Sequence, residues 1–137
     1  TAVATPPAYV YVWDRLPDAI AFPAAEWTGV VGNLTDGNDA TVVSTTVGSS
    51  ELTMTFPTDA ALSGNVATEV VSRMRASRDN TAFNIVNISV GDGVVADDTE
   101  THSLAALDPA RETVTTVLSS GTGWDVDTLE FKVQNGA

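Results

Sequence analysis

At 137 residues and with no cysteine, the chain has the length of one domain and lacks any thiolate for a disulfide, metal site or nucleophile. Its 18 acidic and 6 basic residues leave a net charge of −12, which repels nucleic acid and offers no basic patch to bind it. No run of about 18 apolar residues occurs, so no helical membrane span is expected.

Hydrophobic residues make up 43% of the chain, enough for a globular core. Lys132 is the sole lysine. Such an acidic, lysine-poor balance suits solubility, docking on a basic surface, or work in high salt. The opening TAVATPPAYVYVW has no basic n-region and no continuous apolar run, so it does not read as a signal peptide. Thr1 is the kind of small residue that follows an excised initiator methionine, which points to a cytoplasmic product.

Taken in chain order, the residues predict strands at short intervals. Residues 1–8 form an expected extended arm, stiffened by Pro6 and Pro7, ahead of a single domain over 9–137. YVYVWD (Tyr9–Asp14) alternates as a first strand. RLPDAIAFPAAEW reads as a loop with an apolar lining, and EWTGVVG as a short edge strand. ATVVSTTVG (Ala40–Gly48) and ELTMTFP (Glu51–Pro57) read as a hairpin across Gly48-Ser49-Ser50. VATEVVSRMRASR (Val66–Arg78) has Val66, Val70, Met74 and Ala76 on one parity, the mark of a long strand. A helix competes there, since Val66, Val70 and Met74 also fit a helical stripe, yet no cap or stop signal frames it. FNIVNISVG (Phe83–Gly91), TETHSLAAL (Thr99–Leu107), ETVTTVLSS (Glu112–Ser120) and DTLEFKV (Asp127–Val133) complete eight or nine strands. In the last, Leu129, Phe131 and Val133 share a face. The fold class is all-β, a sandwich or barrel.

Chemistry-bearing residues are few. His102 is the only histidine, with Asp97, Asp98 and Glu100 near it in sequence. No nucleophile elbow or glycine-flanked serine accompanies it, so an outward-facing strand histidine is expected and no enzyme is predicted. Asp36, Asn38 and Asp39 in DGND, and Asp92, Asp97 and Asp98 in GDGVVADD, are the oxygen-rich clusters that calcium would use. Neither follows EF-hand spacing, and Asp-Gly and Gly-Asn pairs equally serve tight turns. Calcium is the one cofactor these residues raise. The sequons at Asn33 and Asn87 carry weight only in a secreted eukaryotic protein. Trp13, Trp27 and Trp124 either cap the core with bonded N–H groups or stack on sugars. Arg73, Arg75 and Arg78 are the only local positive density, able to meet a neighbouring subunit's acids or this chain's own.

One ordered set of residues resembles a segment of structural proteins from tailed bacteriophages and related viruses. Trp27, Gly32, Leu34, Asp36, Gly37, Asp39, Thr41 and Val43, then Phe56, follow its tryptophan, turn and L-x-D-G-x-D-x-T-x-V pattern. Val66–Arg78 resembles the long strand that comes next, and Trp124, Asp125, Leu129 and Val133 resemble its closing segment. The departures are SSGTG in place of a DP-x-T-G lead-in before Trp124, and valine where an aromatic often follows the threonine.

The resemblance implies an antiparallel two-sheet sandwich of jelly-roll type with an extended N-terminal arm. It implies a role in the virion, best suited to capsid decoration, and no catalytic residues. The expected partners are the major capsid protein or further copies of this chain. Pro6, Pro7 and Tyr9 of the arm and Arg73, Arg75 and Arg78 are the expected contacts. The LTDG stretch also resembles galactose-binding-like sandwich modules, which makes a glycan-binding domain the rival expectation. That rival calls for exposed tryptophan or tyrosine beside polar loops.

Overall fold

The computed structural model of the protein describes residues 15–23, 25–58, 60–79 and 84–136. The expected arm and the expected strand Tyr9–Asp14 lie outside them. The described residues form an all-β sandwich. Its strands are β1 (Ala19–Ala21), β2 (Trp27–Thr28), β3 (Ser44–Thr45), β4 (Glu51–Thr55) and β5 (Val66–Ala76). They continue as β6 (Ile85–Gly91), β7 (Asp98–Ser103), β8 (Glu112–Asp125) and β9 (Glu130–Asn135). One α-helical turn, α1, covers Gly32–Thr35, and a 3-10 turn covers Val126–Thr128, so the strand expected from Asp127 begins at Glu130.

One layer is a five-stranded antiparallel sheet in the order β1-β4-β9-β6-β7. The other layer is the antiparallel ribbon β5-β8, and β2-β3 forms a separate two-stranded pair. Strand alternation makes the core. Leu52 and Met54 of β4, Val86, Ile88 and Val90 of β6, and Phe131 and Val133 of β9 point to one side and are buried. Val114 and Leu118 of β8, with Trp124, cover them from the ribbon. Each such apolar side chain contributes about 1.5–3 kcal/mol by leaving water. The opposite face of the five-stranded sheet is polar. There Ser89 bonds Thr99, Thr101 bonds Asn87, and Asn87 bonds Gln134.

The long strand over Val66–Ala76 is present, and Val70, Met74 and Ala76 turn toward the core. Val66 does not join them. The register slips between Ala67 and Glu69, whose partners are Trp124 and Ser119, so residues on either side of the bulge sit in opposite parity. Val66 is therefore exposed, while Ala67 pairs with the buried Trp124. Leu129, Phe131 and Val133 are all buried, as their spacing requires.

The expected hairpin between Ala40–Gly48 and Glu51–Pro57 does not form. Only Ser44–Thr45 of the first segment is strand, and it pairs with β2. Both edges of β4 are already taken, by β1 and β9, so no ladder is left for β3. The residues between turn toward β9 instead. Ser49 N donates to Asn135 O at 2.7 Å, and Asn135 N donates to Ser50 O at 3.0 Å. The expected loop over 15–27 contains β1, which adds three residues to the sheet edge. The expected strand Thr99–Leu107 ends at Ser103, after which Leu104 N donates to Asn84 O.

Candidate functional site

A cleft of about 1360 Å³ opens between the five-stranded sheet, β5 and the 32–46 segment. Its apolar lining includes Met54, Phe56, Val70, Met74, Leu104 and Phe131. Five of the six basic residues, Arg15, Arg73, Arg75, Arg78 and Arg111, also border it, together with the acids Asp36, Asp39, Glu69, Asp79 and Asp108. In a chain of net charge −12 the cleft thus combines apolar surface with a rim whose basic and acidic residues balance.

The arginines differ in what they do. Arg75 is tied down: its guanidinium meets Asp39 at 2.9 Å and also donates to Thr113 Oγ1 and Arg111 O. The Arg75 guanidinium holds the Asp39 carboxyl below the usual carboxylate range. Both side chains are half exposed, so the pair fixes position more than it adds stability. Arg111 is only 8% exposed and donates to Asp108 Oδ1 at 2.6 Å and Ser77 Oγ at 2.8 Å. The Arg78 backbone bridges to Ala106 and Asp108, while its Nε is buried with no hydrogen-bond partner among the described residues. Arg73 lies on the outer face of β5, exposed and without an ion pair among the described residues. Pro6, Pro7 and Tyr9, the expected arm contacts, lie outside the described residues.

The DGND loop is a network of its own. Asp36 Oδ1 accepts from Asn38 N at 2.9 Å and Oδ2 accepts from Thr41 Oγ1 at 2.5 Å. The Thr41 hydroxyl and the Asn38 N–H hold Asp36 below its ordinary pKa. Asn38 Oδ1 accepts from Ala40 N at 2.9 Å. Gly37 turns the chain at φ 69°, a conformation glycine adopts freely. Asp36, Asn38 and Asp39 thus point their oxygens at Thr41, Ala40 and Arg75 respectively, not at a shared centre. Among the described residues no three His, Cys, Asp or Glu side chains gather as a metal would need. Leu34, in α1, packs against the core and anchors this loop. Asn33, the first sequon residue, donates from Nδ2 to Val42 O at 2.9 Å.

The second acidic loop is likewise structural. Asp92 accepts from the N–H groups of Asp125, Val94 and Val95 at 2.8–2.9 Å. These three donors, Asp125 foremost, lower its pKa. Asp97 pairs with Lys132 at 2.8 Å and raises the pKa of that ammonium. Asp98 Oδ2 accepts from Ser119 N at 3.0 Å. The three aspartates therefore serve a turn, the sheet's outer face and the β7–β8 seam.

His102 faces that seam and not solvent, contrary to expectation. Its register partner on β6 is Val86, a core residue, so its side chain takes the core-facing side of edge strand β7. Nε2 lies 2.9 Å from Thr116 Oγ1 and 3.7 Å from Glu100 Oε1. Thr116 is 0% exposed, so its hydroxyl cannot meet a substrate. The contact joins two layers that share no backbone ladder there.

Two of the three tryptophans are core residues. Trp124 is 0% exposed and donates to Ala96 O at 3.1 Å. Trp27 is buried and donates to Ser50 Oγ at 2.8 Å. Neither can stack on a sugar ring, and Trp13 lies outside the described residues. What sequence reasoning missed is the cleft. Its lining comes from segments far apart in the chain, so no local pattern marks it; the only signal was the proximity of Arg73, Arg75 and Arg78. No family of known proteins, no curated protein and no solved structure matches this chain.

Proposed function

We propose that this chain is a non-enzymatic structural protein of a virion, a decoration protein that binds the outer capsid surface and stabilises the shell. Its partners on this reading are the major capsid protein and further copies of itself, and it resides in the virion after synthesis in the host cytoplasm. The observation that carries the reading is the open apolar cleft bordered by five of the six basic residues of an acidic sandwich. Apolar surface rimmed with charge is what protein partners bury. The ordered resemblance from Trp27 to Val133 supplies the class of assembly. Asp36, Asp39, Asp92, Asp97, Asp98 and His102 engage in turns, ion pairs and the inter-layer seam, which gives these candidates architectural roles. The glycan-binding reading loses Trp27 and Trp124 as stacking platforms, since both are buried.

The test is co-sedimentation with capsid shells of the virion to which this reading assigns the chain. Saturable binding, with a raised disruption temperature of the shells, is expected. A chain that stays in the supernatant while binding immobilised glycans would replace this reading with the rival.

A further inference from the structure

The β5-β8 ribbon has two faces. Val70, Met74 and Ala76 of β5 and Val114 and Leu118 of β8 point into the sandwich. The alternate residues make the outer face, in four cross-strand rows: Glu69 with Ser119, Val71 with Val117, Arg73 with Thr115, and Arg75 with Thr113. All eight are exposed. Val71 is 45% and Val117 53% exposed, and as register partners they form one apolar spot on this face.

The charges are arranged about that spot. Glu69 stands one row before the valines and Arg73 one row after. Four residues of strand hold them about 13 Å apart, too far to pair with each other. Neither has an ion pair among the described residues, whereas Arg75, one row further, is tied to Asp39. Opposite charges set evenly on either side of an apolar row are self-complementary under a two-fold rotation. With the axis lying in the face along the Val71–Val117 row, a second ribbon packs antiparallel on the first. Valines then meet valines, and Glu69 of each copy lies over Arg73 of the other. Facing sheets pack about 10 Å apart, a gap that extended glutamate and arginine side chains close together. The usual offset of about 30° between packed sheets shifts these rows by only about 3 Å. The face also suits a copy in its charge. The whole chain carries −12, but here Glu69 balances Arg73 and Asp39 balances Arg75.

We propose that the outer face of the β5-β8 ribbon binds a second copy of this chain, in a two-fold dimer centred on Val71 and Val117 with reciprocal Glu69–Arg73 pairs. The face is about 20 Å long and two strands wide, less than permanent dimers bury, so the dimer is weak and concentration-dependent. The cleft lining includes none of Thr113, Thr115, Val117 and Ser119, and its apolar part lies on the inner side of β5, so the cleft stays open. The dimer does not rest on the virion reading, because it is measured on the free chain.

Sedimentation equilibrium of the full chain, taken up to about 1 mM, should show monomer and dimer in exchange. Arg73→Glu and Glu69→Arg should each weaken the dimer at least about tenfold, because like charges then face each other at both ends. Mixed in equal amounts, the two variants should associate as tightly as the parent, since every facing pair is opposite again. A purely structural role for either residue gives no such rescue. A monomer at every concentration overturns the proposal and leaves the face to a different partner. A dimer indifferent to both substitutions, or a mixture that stays monomeric, overturns it equally. If a variant fails to fold, amide chemical shifts of the parent on dilution decide. The changes should gather on residues 69–73 and 115–119, and changes gathered on Met54, Phe56 and Phe131 of the cleft would refute the dimer.

Discussion

Asp92 shows how much one half-buried carboxylate can organise. Three backbone N–H groups converge on it, one of them from Asp125 at the end of β8. Those donors favour the ionised form, so the folded chain keeps Asp92 charged at a pH where the unfolded chain has begun to protonate. The stabilisation is complete above the ordinary carboxylate pKa, near 4, and fades as pH falls through the lower folded value. Asp92→Asn keeps the shape but loses the charge. Urea midpoints measured from about pH 6 down to about pH 2.5 should therefore fall less steeply for the variant than for the parent. Equal slopes would mean Asp92 has no part in acid unfolding. Trp124 sets the other extreme, a side chain with no exposure and one polar atom. Trp124→Phe removes the donor to Ala96 O and leaves a gap beside the core. A cost of about 1–3 kcal/mol is expected in chemical denaturation.

At the scale of elements, the β5-β8 ribbon depends on its bulge. Gly123 sits at φ 86°, and a Cβ there would lie 2.8 Å from Val66 Cβ. Gly123→Ala should therefore cost about 1–2 kcal/mol in backbone strain alone, with steric conflict added. Val66→Ala in the same chain removes Cγ2 but keeps Cβ, so it should recover only part of the steric cost and none of the backbone strain, which thermal denaturation of both variants resolves. The bulge also explains what could be read from the sequence. Long β-branched runs such as Glu112–Ser120 and alternations such as Leu129, Phe131, Val133 announce themselves, because burial on one face dictates them. The parity of Val66 did not, since the inserted residues lie opposite, in the Ser120–Gly123 segment of β8. The pairing of β3 escaped for a similar reason. Gly48-Ser49-Ser50 has hairpin chemistry, yet the neighbours of β4 were decided by strands far along the chain. The DGND stretch was legible as a turn, whereas its link to Arg75 was not, because 36 residues separate the pair.

Across the whole molecule the dominant fact is charge. Of the acidic residues among the described ones, Asp39, Asp108 and Asp97 sit within 3 Å of an arginine or lysine nitrogen, a small share of the 18 in the chain. Most of the remainder repel one another, and the compact state concentrates that repulsion while the unfolded chain relaxes it. Salt should therefore stabilise the fold. The screening length falls from about 30 Å at ~0.01 M to about 3 Å at ~1 M, below the ~4.8 Å between neighbouring strands. Within that range, acids on adjacent strands cease to sense each other. Calorimetry in sodium chloride should show the melting temperature rising with log salt and levelling off toward 1 M. Arg75→Ala, which leaves Asp39 unpaired, should melt lower than the parent at low salt and converge on it at high salt. A melting temperature that falls with salt would instead mean that the few ion pairs, and not the uncompensated acids, dominate the electrostatics of this fold. The same titration bears on assembly. Attachment through the arginine-bordered cleft to an acidic partner should weaken over the range in which the chain itself grows more stable, and these opposite slopes separate self-repulsion from attraction to a partner.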